Sequence, residues 1–106
     1  MIGRYKVITL CGSTRFKDTF EKVAKDLTLE GAIILAPTVF GHSGDGGLLT
    51  DETKKMLDNM HLRKIDMCDE VFVVNVGGYI GESTRKEIQY ALRNGRAVRY
   101  LESEDE

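Results

Sequence analysis

The stretch Val71 to Ala91, VFVVNVGGYIGESTRKEIQYA, constrains the fold more than any other part of the chain. It opens with a run to Val76 that is apolar at consecutive positions apart from Asn75, a pattern that suits a strand covered on both faces. A glycine-rich turn follows, Gly77-Gly78-Tyr79-Ile80-Gly81. Thr84 and Glu87 then stand three apart ahead of Ile88, Ala91 and Leu92, which predicts a capping box opening a helix. A strand, a glycine loop and a helix start in that order place the loop at the carboxyl edge of an open α/β sheet. Backbone N–H groups and the helix dipole there favour anionic ligands.

The rest of the chain repeats this alternation. Tyr5 to Cys11 reads as a first strand ending at Gly12. Phe16, Phe20, Val23, Ala24 and Leu27 keep helical spacing, so a one-sided helix runs to about Glu30 and Gly31 closes it. Ala32 to Ala36 reads as a second buried strand, stopped by Pro37. The segment 41–47, GHSGDGG, suits neither helix nor strand and reads as a mobile loop, with closure over a substrate on glycine hinges and a disordered surface loop as equal readings. Thr50 or Asp51 caps the next helix, whose inner face is traced by Met56, Leu57, Met60, Lys64 and Ile65, and which ends near Cys68. Asn94-Gly95 closes the helix of the central stretch, and Ala97 to Leu101 is a fourth strand. The order βαβαβαβ with right-handed crossovers predicts a flavodoxin or Rossmann-like doubly wound parallel sheet of four strands, order 2-1-3-4. The switch point then falls between strands one and three, so the loops after Cys11 and after Val76 face one crevice.

Length limits the chain to one compact domain: 106 residues suffice for a single core, here residues 1–101, followed by an acidic tail at 102–106. So short a chain buries a modest share of its surface, which makes oligomerisation a natural supplement. Fifteen basic against seventeen acidic side chains leave a net charge of −2, and no basic patch points to nucleic acid. Neither a signal-peptide layout nor a membrane-spanning stretch is visible, so a cytoplasmic protein without a membrane partner is expected. Cys11 and Cys68 are not spaced as a metal clip and read as buried thiols in a reducing compartment. His42 and Asp45 are two weak ligands in a glycine loop, so neither a metal nor another cofactor is expected.

Gly12-Ser13-Thr14-Arg15 supplies a tight turn, two hydroxyls and a guanidinium at a helix start, all suited to a phosphate monoester. It is neither a P-loop nor the dinucleotide fingerprint. From these residues alone an equal reading stands beside it, in which Ser13 or Thr14 merely caps the helix and Arg15 is a solvated charge. Glu87 has two readings as well. As the last member of a capping box it needs no further role. As a carboxylate facing the crevice it suits a nucleophile at a sugar carbon.

The pairing of a first strand running into CGSTR with a third running DEVFVVNV and then GYIGESTRKEIQYA resembles the nucleoside 2-deoxyribosyltransferase superfamily, which includes deoxynucleoside 5′-monophosphate N-glycosidases. The likeness covers about Val7 to Arg99. It implies a flavodoxin-like domain, usually oligomeric, that breaks the N-glycosidic bond of a nucleoside through a glutamate attacking C1′; by position this is Glu87. The nucleotide hydrolases of the superfamily hold the 5′-phosphate with a Ser-x-Arg after the first strand, and Ser13 and Arg15 stand in that pattern, beside Gly12. They also carry a serine in the loop before the nucleophile's helix, for which Ser83 is the candidate. Asn75 at the strand end and Tyr79 in the loop are placed to contact sugar or base, beside a second reading in which both are structural residues of the turn, and Gly81 joins the substrate-binding candidates. A small-molecule nucleotide or nucleoside is the expected partner.

One position departs from the superfamily. Eight residues before Asp69, where a second aspartate is common, this chain has His61. An imidazole there can donate a proton to the leaving base, and Asp58 or Asp66 can substitute for it; an equal reading has His61 simply sitting on a partly buried helix face. The mechanism implied is retaining, with Glu87 held as a carboxylate by the helix dipole and a glycosyl-enzyme ester resolved by water or a second base. The alternative of a different class is a nucleotide-binding module that keeps the crevice without turnover, and a purely structural domain is the third.

Overall fold

The computed structural model describes residues 2–38 and 50–103. The glycine-rich segment 41–47, with His42 and Asp45, lies outside the described residues. The elements run β1 (Val7–Gly12), a short 3-10 turn (Thr14–Phe16), α1 (Lys17–Leu29), β2 (Ile33–Leu35), α2 (Asp51–Asp66), β3 (Glu70–Val74), α3 (Glu82–Arg93) and β4 (Ala97–Tyr100). The four strands form one parallel sheet in the order β2-β1-β3-β4, the order expected from the sequence.

The two-residue period of β1 and β3 builds two cores. Ile8 and Leu10 with Phe72 and Val74 turn to the face covered by Phe20, Val23 and Leu27 of α1. Cys11 with Val71 and Val73 turns to the other face, against Ile65 of α2 and Ile88 and Ala91 of α3. All five residues of β3 are buried, as a strand covered on both sides requires.

Two expectations need correction. The second strand is short and lies at the edge of the sheet, so Ile33 is half exposed where a fully buried strand was expected. On α2 the inward stripe is Leu57, His61, Ile65 and then Cys68, while Met56 and Met60 are about half exposed on its flank. The buried face is thus rotated by one residue, and His61 sits where Met60 was expected. Glu102, expected in the acidic tail, is tied to the domain: its backbone N–H donates to Asn75 Oδ1 and its carbonyl accepts from Asn75 Nδ2, both at 2.9 Å. Its carboxylate also accepts from Gly77 N–H at 2.8 Å.

Caps agree with the sequence at three ends. Thr50 caps α2 by accepting from Thr53 N–H. Gly31 and Gly95 follow α1 and α3 with positive φ, at +104° and +74°, the left-handed turn that glycine takes without steric cost. Among the described residues, no helix is long and apolar enough to cross a membrane.

Candidate active site

The chain turns to β2 on one side of β1 and to β4 on the far side of β3, so the carboxyl ends of β1 and β3 diverge into a crevice of about 560 Å³. Gly12, Ser13, Arg15, His61, Tyr79, Gly81, Ser83 and Glu87 all line it, as do Lys54, Asp58 and Lys64. Gly12 admits no side chain: its φ is +153°, and a Cβ would lie 2.7 Å from the carbonyl oxygen of Val74. The backbone turn into the crevice therefore depends on glycine.

On the first wall, Ser13 caps the 3-10 turn by accepting from Arg15 N–H at 3.4 Å. Arg15 is not simply a solvated charge. Its guanidinium lies 4.7 Å above the Tyr79 ring and 5.9 Å from that of Phe16, and the two rings meet edge to face at 6.3 Å. Such stacking holds a charged fork in one plane while leaving its N–H groups for an anion. Lys64 reaches the same crevice and donates to the carbonyl of Ala36 at 2.8 Å.

The opposite wall is α3, and here the capping-box expectation is overturned. The helix begins at Glu82 after Gly81, with no side-chain cap. Thr84 is buried within the first turn, and Glu87 falls in the second. Glu87 is thus released from any capping duty and lines the crevice. The same shift removes it from the reach of the helix dipole, which fades beyond the first turn. Burial then dominates: it pushes the carboxyl from its ordinary 4.5 up to about 7, a hydrogen bond from Cys11 pulling it back and the Asp58 charge adding to the rise. Dipole-stabilised ionisation of Glu87 is therefore not what the fold provides.

His61 stands beside it. Nε2 is 3.6 Å from Glu87 Oε1 and 3.2 Å from Cys11 Sγ. Burial, helped by the charge of Lys64, lowers the imidazole from 6.5 to about 4, so at neutral pH it is uncharged and the 3.6 Å contact is not a salt bridge. Cys11 is fully buried, and burial with the neighbouring Glu87 and Cys68 raises its thiol well above the ordinary range. Sulfur and carboxylate both approach the same imidazole nitrogen. A cysteine triad places the two on opposite nitrogens and lowers the thiol, and neither holds here.

Two candidates lie elsewhere. Asn75 is fully buried with its amide committed to the backbone of Glu102, so it anchors the chain end and corrects the expectation of a substrate contact. Asp66 accepts from the Tyr90 hydroxyl at 2.7 Å and does not line the crevice. Sequence reasoning missed Cys11, a strand-end thiol that reads as plain core, and Lys54, one turn into α2. No family model matches this chain, and no curated protein matches it.

Proposed function

We propose that this chain cleaves or transfers at the N-glycosidic bond of a nucleoside or deoxynucleoside 5′-monophosphate, in the manner of the nucleoside 2-deoxyribosyltransferase superfamily it resembles. The observation that carries the reading is Glu87: a carboxyl group with no capping role, on the crevice wall facing the Ser13 to Arg15 turn. In this reading the Ser13 hydroxyl, the turn's N–H groups and the Arg15 fork hold the phosphate, Tyr79 and Ser83 border the sugar, and C1′ lies at Glu87. A homo-oligomer, which the resemblance implies, belongs to the same reading.

Glu87 and His61 share one proton between about pH 4 and about pH 7. In the free protein that proton sits on Glu87. Attack at C1′ requires it to pass to His61 Nε2, leaving a carboxylate nucleophile and an imidazolium acid. The carboxylate forms an ester bond to C1′ as the glycosidic bond breaks, and the imidazolium returns the proton to the departing base. Water or a second base then breaks the ester and restores Glu87.

The test is release of free base from a panel of nucleoside and deoxynucleoside 5′-monophosphates, followed by chromatography with and without an added base. Glu87→Gln is expected to lower turnover by roughly 10³-fold or more. Arg15→Ala is expected to raise KM roughly ten- to hundredfold with monophosphates and not with nucleosides. Release that survives Glu87→Gln rejects the assignment. No release from any member, with the same panel still raising the melting temperature, favours a binding module without turnover, a reading that the neutral His61 in place of an aspartate supports.

A further inference from the structure

We propose that Cys11, His61 and Glu87 form a binding site for a zinc-class divalent ion, with its fourth coordination position open to the crevice. One sulfur, one nitrogen and one carboxylate oxygen, from β1, α2 and α3, lie within 4.8 Å of one another. Zinc bonded at ~2.0–2.3 Å in a tetrahedron holds its ligands roughly 3.3–3.6 Å apart. The separations from Nε2, 3.2 Å to Sγ and 3.6 Å to Oε1, need only a few tenths of an ångström of adjustment, while sulfur and carboxylate oxygen, within 4.8 Å of each other, close in by rotation of the Glu87 side chain.

The direction of approach supports the same conclusion. A cysteine–histidine–carboxylate triad places its thiol and carboxylate on opposite imidazole nitrogens. Here the thiol and the carboxylate meet at Nε2, so three lone pairs converge on one region, as around an ion. Charge is the second, independent observation. Among the described residues, Glu87 has His61 as its only neighbour at ion-pair distance, and no lysine or arginine reaches it. A buried carboxylate beside a thiol has no cation of its own, and a divalent ion supplies one. The donor set selects the metal: thiolate and imidazole suit zinc and cobalt and are poor ligands for magnesium or calcium.

Access runs through the crevice, since His61 and Glu87 line it and Cys11 lies behind them. Binding forms bonds from Sγ, Nε2 and a Glu87 oxygen and releases the thiol proton, with any proton on Glu87, to water. It also occupies the lone pairs that glycosidic chemistry would use, so ion and turnover exclude each other. The site itself stands without that chemistry.

The experiment is titration of the metal-free full chain with Co²⁺, the spectroscopic stand-in for Zn²⁺. One equivalent is expected to bind, with a thiolate-to-cobalt charge-transfer band that Zn²⁺ abolishes, and Zn²⁺ is expected to raise the melting temperature. Cys68→Ser is expected to keep the band, because Cys68 Sγ is turned away to donate to the Ile65 carbonyl at 3.1 Å. Cys11→Ser should lose the band, and His61→Ala should weaken binding by more than the roughly 10–100-fold carried by outer-shell partners. A wild-type chain that takes up no Co²⁺ with a thiolate band overturns the proposal without recourse to any variant. A band that survives Cys11→Ser, or disappears in Cys68→Ser, overturns it as well.

Discussion

Glu70 and Glu87 both carry a carboxyl group largely out of water, Glu70 at the amino end of β3 and Glu87 on α3 beside the carboxyl ends of the strands. Glu70 is met by two cations: Lys6 Nζ at 3.3 Å and Arg99 Nε at 3.2 Å, with Arg99 itself laid over the Phe72 ring at 5.0 Å. Glu87 is met by a neutral imidazole and a thiol. The sheet thus compensates a buried charge at one end and leaves one uncompensated at the other. An uncompensated acid costs stability when it ionises, and such groups concentrate where a protein binds or reacts.

Stability against pH offers the sharpest way to break this contrast. Folding raises Glu87 from 4.5 to about 7, so its contribution is present below 4.5 and is lost as pH climbs to about 7. Folding lowers His61 from 6.5 to about 4, so its contribution is present above 6.5 and is lost as pH falls to about 4. The two slopes oppose each other, and the wild-type protein should show a plateau from about pH 4.5 to 6.5. Glu87→Gln leaves His61 alone, and stability should rise by up to about 3 kcal/mol from pH 4 to 6.5. His61→Asn leaves Glu87 alone, and stability should fall by a similar amount, about 3 kcal/mol, from pH 4.5 to 7. Urea midpoints at pH 4 to 8 for the three proteins decide it; three flat profiles would mean that water solvates both groups. The same one-proton window bounds the proposed turnover, so kcat/KM should fall below about pH 4 and above about pH 7.

The contrast between the two carboxylates was only half visible in the sequence. The sheet order followed from alternating strands and helices punctuated by Gly12, Gly31, Pro37 and Gly95, all strong local signals. Gly12, Ser13, Arg15, Tyr79, Gly81 and Ser83 line the crevice because each lies in a loop or helix start at the switch point, which topology alone predicts. The errors came where tertiary packing overrode a local pattern. Thr84-x-x-Glu87 has capping-box spacing, yet α3 starts earlier at Glu82 and buries the Thr84 side chain. Asn75 looked like a loop contact and instead fixes Glu102. Cys11 and His61 stand fifty positions apart and meet only because β1 and α2 pack together, a juxtaposition no sequence-local rule reports.

The smallest effect tests the compensated end. Glu70→Gln keeps the size of the side chain and removes its charge, leaving Lys6 and Arg99 facing a neutral amide. Their side chains are 57% and 47% exposed, so water recovers much of what each cation loses. The cost should therefore be about 1 kcal/mol, the value of half-exposed pairs rather than of a fully buried one. Because Glu70 lies at the amino edge, base release and Co²⁺ uptake should be unchanged, and the pH plateau should survive. Added salt distinguishes the cause: screening should shrink the difference between wild type and variant. If Glu70→Gln instead costs as much as the ionisation of Glu87, then the cations at Glu70 are held in a drier setting than their exposure suggests. The two ends of the sheet would then differ in the sign of their charge balance and not in access to water.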